Sequence, residues 1–284
     1  MFPTEFAYHR ASSVDDAISV LAANPDAKIL AGGYSLIPAM KLRLAAPGLL
    51  VDLTRLAELR GVTLGDDQVT IGALTTYNEL KDAAGFAELY PGAVDALNVI
   101  GDQQVRANGT IGGTLAHNDP AADFTAVFCA LKGSVVAKGP DGERTVGADE
   151  LFVDLWTTAL EPDEVVTTVT LPIPAADTKS AYLKHQHPAS GYAVVGVAVA
   201  VTVSDGIVTD ANVVVTGATS IATHASAAEA ALVGKALNAD SIAAASAVAA
   251  EGLELNPTPY AAEAYLAQLV KVLTKRSLER AAGR

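Results

Sequence analysis

Cysteine is almost missing: the 284 residues contain one, Cys129. One thiol cannot close a disulfide within the chain, nor hold an iron–sulfur cluster or a thiolate zinc site without other ligands. Aromatic residues are scarce at 5%. Basic residues are outnumbered, 19 against 32 acids, which gives a net charge of −13. That balance argues against nucleic acid, whose phosphates it would repel. Long hydrophobic runs are lacking too. The apolar half of the composition is mostly alanine and valine, mean hydropathy is +0.30, and no uninterrupted stretch is long enough to span a bilayer. The opening Met1-Phe2-Pro3-Thr4-Glu5-Phe6 lacks the basic and apolar regions of a signal peptide. The expected location is the cytoplasm, the inner face of the membrane included.

What the chain does have is two glycine-centred motifs, Ala31-Gly32-Gly33-Tyr34-Ser35 and Thr110-Ile111-Gly112-Gly113-Thr114. A glycine pair removes the Cβ atoms that keep backbone away from a ligand, and hydroxyl side chains flank both pairs. Backbone N–H groups in such turns can point at one anion, and a following helix adds its positive end. One pair is usually just a turn. Two predict loops converging on one extended, phosphate-bearing ligand such as a dinucleotide.

The surrounding patterns give an α+β chain. Ser12-Ser13-Val14-Asp15-Asp16 reads as a capped helix start, with Val14, Ala17, Ile18 and Leu21 on one face. Strands are expected at residues 28–31 and 49–53. Between them a helix runs on from Ser35, with Leu36, Met40 and Leu44 inward and Lys41 and Arg43 outward. A strand at 69–73 and helices at 77–83 and 92–100 lead to the second motif. Pro120 is expected in the first turn of a helix reaching about Leu131, which would bury Cys129. A hairpin at Gly139-Pro140-Asp141-Gly142 and a strand at 165–171 precede Pro172-Ile173-Pro174. Beyond lie a strand at 181–187 and an antiparallel ribbon, 192–203 with 207–215. From about Ala227 the chain is Ala-rich and helical, interrupted at 252–259. The expected division is 1–56 and 57–175, two α/β subdomains, then 176–284, an antiparallel sheet with helices.

Residues 31–38 and the longer run Thr110 to Asp123, TIGGTLAHNDPAAD, resemble the two flavin-binding signatures of the medium subunit of molybdenum hydroxylases. This is the family of aerobic carbon monoxide dehydrogenase and the xanthine dehydrogenases. The resemblance extends over nearly the whole chain, through the Glu161-Pro162-Asp163-Glu164 turn and the Tyr182-Leu183-Lys184 strand. It implies that Ala31, Gly32, Gly33, Tyr34 and Ser35, followed by Leu36 and Ile37, wrap the FAD pyrophosphate through backbone amides and the Ser35 hydroxyl. Tyr34 stands where Gln or His is more usual. Thr110, Ile111, Gly112, Gly113 and Thr114 are implied to complete the cradle with hydroxyls and amides. Asp123 matches an acid that bonds the ribityl or ribose hydroxyls, the plainer alternative being a solvated first-turn aspartate. Ile100 and Val166 fall where the family sets apolar residues against the isoalloxazine, with simple core packing as the alternative. Lys184 matches a lysine at the flavin's pyrimidine end, and Tyr192 is a candidate to cover one flavin face.

The resemblance further implies partners: a large molybdenum-cofactor subunit and a small subunit with two [2Fe-2S] clusters, assembled as a dimer of heterotrimers. FAD alone belongs to this chain, which would pass electrons from the clusters to an external acceptor. Carbon monoxide is the favoured substrate. The alternatives are a xanthine or N-heterocycle dehydrogenase, a stand-alone FAD oxidoreductase, and a non-catalytic nucleotide-binding regulator. His117 and Asn118 read as shaping their loop. His185 and His187 share a strand face without a third metal ligand, and Ser190 lacks the setting of a hydrolase nucleophile.

Overall fold

In the computed structural model, which describes residues 2–283, the chain opens with strand β1 (Ala7–Arg10). Its sequence, Ala-Tyr-His-Arg, has no apolar alternation to announce a strand. Ser13 then accepts a hydrogen bond from the Asp16 N–H (3.1 Å) and caps α1 (Val14–Ala23), which buries Val14, Ala17, Ile18 and Leu21 as one face. Strand β2 (Ala27–Leu30), helix α2 (Leu36–Lys41) and strand β3 (Leu49–Asp52) follow. Both β1 and β2 pair in parallel with β3. The first glycine motif therefore leaves the carboxyl end of a parallel strand, the edge at which open α/β sheets bind ligands. Helix α2 is shorter than the periodicity suggests, and Leu44, expected inward, is 80% exposed.

The second sheet is antiparallel. Its strands are β4 (Val62–Leu64), β5 (Gln68–Gly72), β6 (Ser134–Gly139), β7 (Gly142–Gly147) and β10 (Val165–Pro172), in the order β4-β5-β10-β6-β7. The expected hairpin pairs Gly139 with Gly142. Between β5 and β6 run α3 (Tyr77–Lys81), α4 (Phe86–Leu89), α5 (Pro91–Val99), α6 (Gln103–Asn108), α7 (Ile111–His117) and α8 (Asp123–Ala130). A short stretch, α9 (Ala148–Leu151), β8 (Phe152–Asp154) and β9 (Thr157–Thr158), leads back to β10. Two expectations change here. The second glycine pair is not in a loop but in the first turn of α7. Pro120 lies outside α8, because its carbonyl is taken by the Gly217 N–H (2.8 Å) and the Thr216 hydroxyl (2.8 Å).

Every residue of α8 is buried. Burial pushes the Cys129 thiol up to about 12, so almost no thiolate exists at neutral pH. Native protein is expected to resist a thiol-reactive disulfide reagent at pH 8, and protein in denaturant to release one equivalent at once. Rapid native labelling would place Cys129 nearer the surface.

The third sheet consists of β11 (Thr178–Gln186), β12 (Ala193–Ser204), β13 (Ile207–Thr216) and β14 (Thr223–His224), all antiparallel. Asp205 and Gly206, with φ of 50° and 80°, turn β12 into β13. Both faces are covered, which is why β12 and β13 read as unbroken Ala/Val runs. Ala181, Val195, Val197, Val199, Val213 and Val215 meet the C-terminal helices. Tyr182, Ala198, Ala200 and Val214 join the core around α8. The C-terminal helices are α10 (Ser226–Leu232), α11 (Ala239–Val248) and α12 (Glu263–Ala281). The alanine-rich tail breaks once more than expected, near Gly234, whose φ is 78°.

Candidate functional site

The first motif has the geometry of an anion cradle. Gly33 takes φ 75°, a conformation open to glycine at little cost. Among the described residues, no protein acceptor meets the backbone N–H of Gly32, Gly33, Tyr34 or Ser35. Gly32, Gly33 and Ser35 are partly buried, and such residues with N–H groups lacking acceptors call for a ligand or water. None of the five residues is basic, so the donor set is neutral and suits a pyrophosphate held by amides. Leu36 and Ile37 begin α2 half-buried, and the Tyr34 side chain is 41% exposed.

The second motif is built differently. The Ile111 N–H donates to the Thr75 carbonyl (2.9 Å) and the Gly112 N–H to that of Ala73 (2.8 Å). The Thr110 hydroxyl caps α7 by accepting from the Gly113 N–H (3.2 Å), and the Thr110 carbonyl accepts from the Thr114 N–H (3.0 Å). The amides at 111–114 are therefore spent inside the fold, so this motif offers a ligand hydroxyls and close approach. Its glycines serve packing: a Cβ on Gly112 would lie 2.5 Å from that of Ala73, and one on Gly113 would reach 3.8 Å from that of Ala31. A Cβ on Gly32 would in turn collide with the Asn108 carbonyl. The two motifs thus meet, as their pairing in the sequence implied.

A buried polar cluster lies alongside. Strand parity puts Tyr182 and Lys184 on the face of β11 turned to α8, and both reach Asp123. The Tyr182 hydroxyl donates to Asp123 Oδ1 (2.5 Å), and Lys184 Nζ donates to Oδ2 (2.9 Å) and to the Gly191 carbonyl (2.8 Å). The side chains of Asp123 and Lys184 are 5% and 3% exposed. Asp123 is therefore not a solvated helix-start acid. Burial pushes its carboxyl up, against the pull of Lys184 and Tyr182. Burial, reinforced by Asp123, also raises the Tyr182 phenol. The carboxylate keeps lone pairs for a ligand hydroxyl, while the charge of Lys184 is already countered within the chain.

Tyr192 lies in the loop before β12 and is 42% exposed. Its phenol is raised by burial and by Asp119 and Asp123. Burial also raises the Tyr77 phenol. Ile100 and Val166 are both 8% exposed and belong to the apolar cluster that includes Ile111 and Tyr182. Asn118 Nδ2 donates to the Asp154 and Thr157 carbonyls (2.9 and 2.8 Å), and the His117 ring lies 4.8 Å from that of Trp156. Both shape the loop, as expected. The rings of His185 and His187 lie edge-on to Tyr265 and Tyr260. Sequence reasoning did not single out Tyr182 as a partner of Asp123. For Tyr182 the signal was present: it stands two residues before Lys184 on a strand.

Comparison with known proteins places these features. The family described as FAD binding domain in molybdopterin dehydrogenase matches residues 4–174, and CO dehydrogenase flavoprotein C-terminal domain matches residues 180–281. The carbon monoxide dehydrogenase medium chain of Hydrogenophaga pseudoflava is 37% identical over 246 residues, 86% of each chain. The 6-hydroxypseudooxynicotine dehydrogenase complex subunit alpha of Paenarthrobacter nicotinovorans is 35% identical over 286 residues, covering 100% of this chain and 97% of its own. A solved carbon monoxide dehydrogenase from Hydrogenophaga pseudoflava superposes with a TM-score of 0.96 at 38% identity, covering 100% of this chain and 99% of that one.

Proposed function

The chain belongs to the family of FAD-binding medium subunits of molybdenum hydroxylases, and from that premise we propose that it is the FAD-carrying, electron-exit subunit of a carbon monoxide dehydrogenase. It takes electrons from the [2Fe-2S] clusters of a small subunit and delivers them to an external acceptor, while a large molybdenum subunit oxidises the substrate. Bound FAD supplies a redox carrier whose chemistry is its own. This chain supplies position and electrostatics. Gly32 to Ser35 hold the pyrophosphate through their unpartnered amides, with Thr110 to Thr114 packed behind them. Asp123, oriented by Tyr182 and Lys184, accepts from hydroxyls of the cofactor's sugar chain. Tyr192 would cover a face of the ring system, and Ile100 and Val166 would supply apolar contact to it. The division at residues 56 and 175 belongs to the same reading.

The observation that carries the proposal is the set of four neighbouring N–H groups without acceptors at the carboxyl end of a parallel strand. Carbon monoxide is favoured by the likeness to carbon monoxide dehydrogenase medium chains. The full-length likeness to a 6-hydroxypseudooxynicotine dehydrogenase subunit supports N-heterocycle oxidation as the second reading. The test is coexpression with a large and a small partner chain. The expected product is a yellow complex containing molybdenum and iron, whose flavin bleaches when carbon monoxide is added without oxygen. Bleaching by N-heterocycles alone would select the second reading. Substrate-driven bleaching of this chain with neither metal present would establish a stand-alone flavoenzyme instead.

A further inference from the structure

His224 stands where two parts of the molecule are joined. Ile221 and Ala222 pack into the core around α8, while Ala225 and Ala228 belong to the core of the C-terminal helices. Between them the short strand β14 pairs His224 with Val214 of β13. Among the described residues, four ion pairs tie the chain before residue 175 to the third sheet and its helices: Asp123–Lys184, Lys132–Asp210, Asp95–Arg280 and Asp149–His224. The first three use lysine or arginine, which stay charged through pH 8. The fourth rests on a side chain that ordinarily titrates between pH 5 and 8.

The imidazole lies between two carboxylates. Its Nδ1 is 2.6 Å from Glu229 Oε1 of α10, an oxygen that also accepts from the Val213 N–H (2.8 Å). Its Nε2 is buried without a hydrogen-bond partner, 3.4 Å from Asp149 Oδ1 of α9. Glu229 and Asp149 are the charged groups that face the ring, and β13 opposes it with Val214. A carboxylate only accepts, so Nδ1 is the donor to Glu229, and a neutral ring then turns a bare lone pair toward Asp149. A protonated ring donates from both nitrogens. One proton therefore decides whether Asp149 is attracted or repelled. The hydrogen bond to Glu229 holds the imidazole above its ordinary value, burial opposes the rise, and the charges of Glu229 and Asp149 add to it. The Asp149 side chain is 81% exposed, so water can receive it when it lets go.

We propose that Glu229, His224 and Asp149 form a proton-operated clasp: the imidazolium ties α9 to the C-terminal part of the chain, and the neutral imidazole releases it. Helix α9 runs straight into β8 and β9, the hairpin whose Asp154 and Thr157 carbonyls hold Asn118. Release of α9 thus loosens the support of the run from Thr110 to Asp123. Because the folded value is raised, the clasp's contribution is complete below the unfolded value near 6.5 and is lost as pH rises through the folded one. Each unit of rise is worth about tenfold in the ratio of closed to open clasp.

Hydrogen–deuterium exchange of the full-length chain at pH 6 and pH 9 tests this, with each rate divided by the intrinsic rate at that pH. Protection of residues 148–158 is expected to be several-fold lower at pH 9. His224→Asn keeps a donor near the place of Nδ1 and removes Nε2, and Asp149→Ala removes the outer carboxylate alone. Each variant should show at pH 6 the low protection that the wild type shows at pH 9, with no further change between the two. Asp149→Ala alters an exposed side chain, so it carries the test even if His224→Asn does not fold. Equal protection of the wild type at both pH values overturns the proposal. So does a pH response that survives in Asp149→Ala, since His224 would then act within the C-terminal part alone.

Discussion

A complex carrying Gly32→Ala is expected to lose most of its FAD. The added Cβ would overlap the Asn108 carbonyl, with the Gly109 Cα 3.0 Å away, and neither is a side chain that can rotate aside. The first motif must therefore move off the second. Forcing a methyl into packed structure costs about 1–3 kcal/mol, which corresponds to roughly a 5- to 150-fold loss of affinity if the strain falls on the cradle. Gly147→Ala is the matched control, since its Cβ would meet nothing within 4 Å. The measurement is the flavin-to-protein absorbance ratio of the assembled complex after gel filtration, with circular dichroism to check the fold. Full occupancy in Gly32→Ala would mean that the contact between the motifs does not shape the cofactor site. The same geometry separates two other glycines. Gly33→Val fails through its φ of 75°, whereas Gly112→Val fails by driving a side chain into Ala73.

That separation shows where the sequence was legible. Features written in short-range chemistry could be read directly: the Ser13 cap and its apolar face, the Gly139–Gly142 hairpin, and the ribbon turning at Asp205-Gly206. The second glycine pair could not, because Gly-Gly reads as a loop, whereas here Thr110 caps a helix and Thr75 and Ala73 take its first amides from another segment. Leu44 misled for a related reason. The helical period runs on to it, and the stop at Lys41 lacks the glycine that normally marks one, since Arg43 takes the left-handed position. Strand β1 is held by pairing with β3, not by a pattern of its own. The setting of Asp123 was the least accessible. Its partners lie 59 and 61 residues away, and only the packing of α8 on the third sheet brings them together.

That setting makes the largest stability prediction. Lys184→Met leaves the Asp123 carboxylate buried, with Tyr182 as its one remaining side-chain partner among the described residues. Removing one member of a buried ion pair typically costs about 3–5 kcal/mol, so a large fall in melting temperature is expected. The sign with pH follows from the direction of the shift. Folded Asp123 is already raised above its ordinary value by burial, and Lys184 opposes that rise. Without the lysine the folded value climbs further, so across the widened interval the native state holds a proton that the unfolded chain has released. Stability then decreases as pH rises through the folded value, and this component returns in full only below the unfolded one, near 3.9. The deficit should accordingly be larger at pH 8 than at pH 5. Adding Asp123→Asn removes the stranded charge, since Asn can still accept from Tyr182. The double variant should regain most of the lost stability and lose the extra deficit that Lys184→Met shows at pH 8, while binding FAD more weakly than the wild type by about 1–3 kcal/mol. Melting curves of the single and double variants at the two pH values decide the matter. If the double variant melts no higher than Lys184→Met at either pH, the cost lies in lost lysine packing, and the charge of Asp123 does not depend on Lys184.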